Sequence, residues 1–371
     1  MRLFLLLLLL LALVTGAVSC SVWKELGQKP DALRLAEFQS SPHFSTEQQI
    51  FLNRRPEVLT QMQERMDAGA IMDFFLNSTP DKTPAGPLPE SRPVDLQQFL
   101  APTDSIRFIW LGHSSLLVNV QNHIVLLDPV FSKAASPVKF MVRRFQPPVV
   151  PLEALPEIEW ILISHDHYDH LDLETIEFFK ERKTRFAVPL GVGSHLRYWG
   201  IPEERIVELD WWEQHQDGDL TLSCTPAQHF SGRTGQEQKT LWASWVLEAG
   251  ERRLFFSGDS GYDVHYQQIG SRFERFDLAF VDSGQYNEKW REVHNMPEEA
   301  VQAAKDLNAD HLIPIHWGMF ELALHEWYEP VVRSHRSAQE QSVSLLTPKI
   351  GQLVEFEQPE ASERWWEALM P

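Results

Sequence analysis

The chain has 371 residues, 43% hydrophobic and 23% charged, values that suit a packed protein of one large domain or two and exclude disorder and collagen-like structure. Lysine and arginine number 33 against 52 aspartates and glutamates; the formal charge of −19 repels nucleic-acid phosphates and excludes a general nucleic-acid binder, so any anionic substrate must be captured locally. Two cysteines, Cys20 and Cys224, are too few for a disulfide framework or a cysteine-based metal site, which leaves the 15 histidines as the available metal ligands.

Arg2 precedes an apolar run, Leu3 to Val14, that is twelve residues long. A bilayer-spanning helix needs roughly 20, so residues 1–19 read as a signal peptide and not a transmembrane helix. Thr15-Gly16-Ala17-Val18-Ser19-Cys20 resembles the lipobox of bacterial lipoproteins. That resemblance implies that Cys20 is acylated and anchors the mature chain in the cell envelope. Ser21, in place of aspartate, implies the outer membrane, facing the periplasm. The alternative is an ordinary secretory signal that contains a cysteine. In either case Cys224 is expected to be a buried thiol.

Residues 20–104 are polar, with a proline-rich second half and a short helical pattern over Glu57 to Met66; they read as an N-terminal extension wrapping a core formed by residues 105–371. From Ile106 onward, short apolar runs end in polar turns: Ile106–Leu111, Leu116–Val120, Ile124–Leu127, Trp160–Ile163, Phe186–Val188, Leu220–Cys224, Leu241–Leu247, Leu254–Phe256, Leu278–Val281 and His311–Ile315. These predict strands. Helix-length stretches lie between them, at Leu173–Arg182, Asp263–Gly270, Pro297–Leu307 and His325–Arg333, and the interleaving indicates a layered α/β fold. Pro297, Glu298 and Glu299 suit a first helical turn, where proline loses no hydrogen bond and acids meet the positive end of the dipole.

The chemistry concentrates in Ile163-Ser-His165-Asp166-His167-Tyr168-Asp169-His170-Leu171-Asp172. An apolar strand ends and polar groups begin at once, which places them on a loop at a strand's C-terminal end, where open α/β sheets hold their sites. In extended backbone, residues two apart point the same way, so His165, His167 and Asp169 converge while His170 turns to a neighbouring centre. So many ionisable groups beside an apolar strand need a cation to hold them together. Imidazole and carboxylate suit zinc, and also iron or manganese. No Gly-x-Ser-x-Gly elbow suggests a serine nucleophile.

His-x-His-x-Asp-His resembles the signature of the metallo-β-lactamase superfamily, and further strand-end residues follow in the family's order: Asp128, His229, Asp259 and His316. The resemblance implies a four-layer αββα sandwich holding two divalent metal ions. His165, His167, His229 and Asp259 would bind one ion; Asp169, His170, His316 and the bridging Asp259 would bind the other. A hydroxide shared by two such ions is the expected nucleophile. Asp128 and His113 are expected to orient the ligating imidazoles, although His113 reads equally well as a satisfied core histidine.

Six ordered blocks, Trp110–Val118, Asp128–Ser132, Ile163–Asp172, Ser257–Tyr262, His294–Val301 and Ile315–Phe320, resemble the N-acylphosphatidylethanolamine-hydrolysing phospholipase D group and its bacterial relatives. The implied activity is a phosphodiesterase acting on membrane lipids, with Asp259 and His294 catalytic and His294 contacting the substrate phosphate. Otherwise His294 is a helix-cap residue ahead of Pro297. Within Phe131 to Pro151, Lys133, Lys139, Arg143 and Arg144 alternate with Phe131, Phe140, Met141 and Phe145, so Arg143 and Arg144 are candidate head-group contacts; the alternative is a partly buried loop whose basic residues pair with local acids. Trp199, Trp211, Trp212 and Trp290 fit either a lipid pocket or the core. A lactonase or small-molecule phosphodiesterase would use the same ligands, and a non-catalytic metal-binding envelope lipoprotein is the reading from another class.

Overall fold

A computed structural model describes residues 22–66, 69, 79–233, 237–360 and 363–371; the candidate signal peptide and Cys20 lie outside the described residues. Strands in chain order are β1 (Phe44–Ser45), β2 (Ile50–Phe51), β3 (Ile106–Gly112), β4 (Ser115–Val120), β5 (His123–Leu127), β6 (Trp160–Leu162), β7 (Arg185–Pro189), β8 (Ile206–Leu209), β9 (Gln214–Asp217), β10 (Leu220–Thr225), β11 (Ser244–Ala249), β12 (Arg252–Phe256), β13 (Phe276–Asp282), β14 (Ala309–Ile315) and β15 (Leu353–Glu355). They form a seven-stranded sheet ordered β15-β3-β4-β5-β6-β7-β8, a six-stranded sheet ordered β14-β13-β12-β11-β10-β9, and the hairpin β1-β2.

Both large sheets begin antiparallel and end parallel. Short turns join β3, β4 and β5 into a meander, and longer connections make β5 to β8 parallel. In the second sheet β9 to β12 are antiparallel, while helices His265–Phe273 and Pro297–Asp306 cross over to β13 and β14 in parallel. The parallel strands read as continuous apolar runs because both of their faces are covered. In β12 and β13, Leu254, Phe256, Leu278 and Phe280 join the core between the sheets, where Phe108 meets Phe280 edge-on at 5.1 Å. The alternate residues Phe255, Ala279 and Val281 pack outward on Ala300, Val301 and Ala338 of the covering helices. Helix, sheet, sheet and helix thus stack as the expected αββα sandwich. Leu173–Phe179 and Gly193–Tyr198 cover the first sheet, and Pro297–Asp306 and Glu329–Gln341 cover the second.

Several elements differ from the sequence reading. The predicted strand Leu241–Leu247 starts only at Ser244, because Leu241 N bonds Leu190 O and Ala243 N bonds Ser164 O, away from the sheet ladder. The helix expected over His325–Arg333 is Glu329–Gln341, with Pro330 in its first turn, where a missing N–H does no harm. Sequence reasoning missed β8, β9 and β15, all at sheet edges, as well as the β1-β2 hairpin and the helix Gly193–Tyr198. The extension contributes Phe38, Phe44, Phe51, Leu88 and Phe99 to the main core.

Candidate metal centre

The strand ends converge on one edge of the sandwich. Asp128 follows β5, His165 to His170 follow β6, His229 follows β10, Asp259 follows β12, and His316 follows β14. Two donor sets form there. In the first, His165 Nε2 and His229 Nε2 lie 2.8 and 3.2 Å from His167 Nδ1, and 3.7 and 3.6 Å from Asp259 Oδ2. In the second, Asp169 Oδ2 lies 2.9 Å from His113 Nε2, 3.5 Å from His170 Nε2 and 4.0 Å from His316 Nε2. Asp259 Oδ1, 3.1 Å from His170 Nε2 and 3.0 Å from His316 Nδ1, joins the two sets.

The donor set fits divalent ions. Ligand atoms held about 2.1 Å from a tetrahedral ion stand roughly 3.4 Å apart, within the spread of these separations. Asp259 Oδ1 and His170 Nε2 are buried and, although 3.1 Å apart, are not aligned to hydrogen-bond to each other or to any other described residue. Buried polar atoms are rarely left so unless something else satisfies them. Burial pulls the His165, His229 and His316 imidazoles well below their ordinary range, and neighbouring imidazoles add to the effect. His167 falls to about 4, again mainly through burial. These rings are therefore neutral near pH 7, the form that ligates. Burial also pushes the Asp259 carboxyl up to about 7, so a carboxylate here calls for nearby positive charge.

The supporting shell is equally defined. Buried Asp128 accepts from Ser164 N and from His170 Nδ1, each at 2.7 Å, which turns His170 Nε2 toward Asp259. His229 Nδ1 donates to Val293 O at 2.9 Å. His113, Asp128 and His316 hold positive φ angles of 54°, 37° and 68°, an unusual backbone for residues with side chains and one that gathers at functional sites. Gly258 (φ 56°) has no room for a Cβ, which would fall 2.4 Å from Ser164 Cβ. His113 is buried beside the second donor set, with its Nε2 2.9 Å from Asp169 Oδ2.

His294 is no helix cap; Met296 caps the following helix, and His294 faces the cavity. Its Nδ1 pairs with Asp282 Oδ2 at 2.9 Å, and its ring stacks 5.1 Å from His316. Burial lowers the His294 pKa, but Asp282 outweighs it and the net direction is upward. Sequence reasoning missed Asp282, a fully buried acid that ends β13 as Asp128 follows β5. The metal cavity is about 270 Å³, lined by Ala135, Tyr168, Gln285, Trp290 and Leu322 together with His167, Asp169, Asp259, His294 and His316. Arg143 and Arg144 do not line it. Arg144 donates to Val130 O at 2.6 Å over the Phe320 ring, and it and exposed Arg143 line two outer cavities. Trp199 and Trp211 are core residues, Trp290 lines the cavity, and Cys224 is a buried thiol.

An αββα sandwich with a histidine–carboxylate centre at its strand ends defines a metallo-hydrolase. Residues 123–317 match the β-lactamase superfamily domain, and the chain belongs to that superfamily. It is 42% identical over 288 residues to an uncharacterised protein of Mycobacterium tuberculosis, covering 76% of this chain and 77% of that one. It is 35% identical over 234 residues, 59% of this chain and 65% of the relative, to N-acyl-phosphatidylethanolamine-hydrolyzing phospholipase D 1 of Caenorhabditis elegans. A 99-residue stretch, 27% of this chain and 75% of the relative, is 44% identical to an outer membrane protein of Klebsiella pneumoniae. The fold also matches a metallo hydrolase of Ignicoccus hospitalis at TM-score 0.53 and 17% identity, over 68% of this chain and 99% of that one.

Proposed function

We propose that the protein is a dinuclear phosphodiesterase of phospholipase D type acting on N-acylphosphatidylethanolamine-like lipids. The observation that carries this reading is the placement of His294. Paired to Asp282 and stacked on His316, it offers a positively biased imidazole in the wall of a cavity that His167, Asp169, Asp259 and His316 also line. Two divalent ions bound there, with zinc the expected metal and iron or manganese the alternatives, would supply Lewis acidity and lower the pKa of a shared water. The chain's own part is to hold neutral imidazoles in place and to meet a phosphate with His294. The relationship to the nematode phospholipase supports the lipid substrate, and the lipobox-like Cys20, with the Klebsiella relative, supports an anchored envelope location.

Replacing Asp259 with Ala is expected to remove both ions, as metal analysis would show, and to abolish phosphodiester hydrolysis; hydrolysis surviving in a metal-free variant refutes the mechanism. Turnover of N-acylphosphatidylethanolamine and of simple lactones separates the substrate classes, and activity on lactones alone would make the protein a lactonase. Cys20→Ala is expected to release it from membranes.

A further inference from the structure

Between β5 and β6 the chain makes an excursion whose arms are pinned at the base. Ala135 N donates to Val142 O at 3.0 Å, Arg144 N donates to Lys133 O at 3.1 Å, and Ala134 bridges to Arg143. At the tip, Met141 N closes a turn on Val138 O at 2.9 Å, and two adjacent apolar side chains, Phe140 (74% exposed) and Met141 (46%), stand in water. Single exposed apolar residues are ordinary, but an adjacent pair on a turn flanked in the chain by cations is a different surface. Lys133, Lys139 and Arg143 are all exposed beside it, and Lys133 and Arg143 form no ion pair among the described residues. These charges stand against a chain of net −19.

Two further relationships orient this surface. Ala135, at the base of the excursion, lines the metal cavity, and Met141 to Phe145 line an adjoining cavity of about 730 Å³ that shares Leu322 with it. Lys139 pairs with Glu25, which ties the start of the described chain to the same face. Glu25 lies five positions after Cys20, a reach of no more than about 18 Å of extended chain.

We infer that the 133–144 excursion docks the protein on an anionic lipid bilayer. Phe140 and Met141 enter the head-group layer and Lys133 and Arg143 meet its phosphates, so that the metal cavity opens at head-group level. A chain this acidic is repelled by an anionic surface at long range; local cations overcome that only within a screening length of about 8–10 Å, the range over which exposed Lys133 and Arg143 act once Phe140 and Met141 touch the surface. The inference rests on the proposed lipid function only for the presence of a membrane.

Hydrogen–deuterium exchange of the full chain tests it, with vesicles of phosphatidylcholine plus phosphatidylglycerol, with phosphatidylcholine vesicles, and without vesicles. The amides of residues 136–143 are expected to exchange about tenfold more slowly on the anionic vesicles. Phe140→Ser should abolish that slowing and Phe140→Trp preserve it, both variants keeping the wild-type melting temperature. Absence of slowing in this segment, whether or not the chain sediments with vesicles, overturns the inference. So does slowing that appears without lipid as protein concentration rises, which would make a second copy of the chain the occupant. Protection is read without turnover, so failure of the lipid-hydrolase reading leaves this result standing.

Discussion

Asn53 clasps the backbone of His229 from both sides: its side-chain N–H donates to the His229 carbonyl at 2.7 Å and its oxygen accepts the His229 N–H at 3.1 Å. The clasp extends the β1-β2 hairpin, where Phe51 N bonds Gln238 O at 2.8 Å and Gln238 Nε2 returns a bond to Phe51 O at 3.0 Å. The N-terminal extension therefore straps down the loop that carries a ligand of the first donor set. Asn53→Ala leaves two buried backbone groups unpaired and should destabilise the fold by about 2 kcal/mol or more. It should also weaken metal binding about 10–100-fold through loss of His229 placement. Thermal melting and chelator competition measure the two effects, and unchanged metal affinity in the variant would show that the hairpin is packing alone.

Asp128 allows the effect of charge to be separated from that of backbone strain. Asparagine tolerates its left-handed φ of 37°, so Asp128→Asn keeps the turn while removing the carboxylate that fixes the tautomer of His170. The expected result is roughly 10–100-fold weaker binding at the second donor set, with the ion held by His165, His167 and His229 retained. Metal stoichiometry during stepwise dialysis reports this; simultaneous loss of both ions would mean that Asp128 supports the whole centre through Ser164.

His294 is placed to act on substrate, yet its atoms also complete a cluster with Asp259, Asp282 and His316. As a phosphate contact, its loss in His294→Ala should lower kcat/KM by about 10²–10³ with two ions still bound. Metal content decides between the roles: a variant that loses an ion as well as activity has lost a ligand, and the assignment to substrate fails.

How much of this was legible in the sequence follows from burial. Buried strands announce themselves as apolar runs, and the site residues follow them closely, so Asp128, His165, Asp259 and His316 could be placed from the chain alone. Edge strands bury little: β9, Gln214–Asp217, alternates exposed and half-exposed polar residues and carries no apolar signal. Asp282 and Asn53 were invisible for another reason. Their roles are set by contacts across the fold, 12 and 176 residues away in sequence, which no local pattern encodes. Arg144 follows the partly buried alternative, but it spends its charge on buried carbonyls and not on local acids, a contact no sequence pattern encodes, and burial lowers its pKa to about 10.

His123 joins the two sheets by charge. Its Nδ1 meets Glu159 and its Nε2 meets Asp219, each at 2.9 Å, and both carboxylates are satisfied together only when the ring carries two protons. Burial lowers its pKa, but the paired acids outweigh burial and the folded value lies above the ordinary 6.5. A folded pKa raised above the unfolded one gives stability that is fully present below about pH 6.5 and is lost as pH rises through the folded value. Near pH 5.5 the unfolding equilibrium constant of the wild type should therefore be about twofold to fivefold smaller than that of His123→Gln, with the gap narrowing above neutrality. Urea unfolding of both proteins across that range measures it. A gap that stays constant, or widens as pH rises, would mean that the imidazole is held neutral and the two sheets are not joined by its charge.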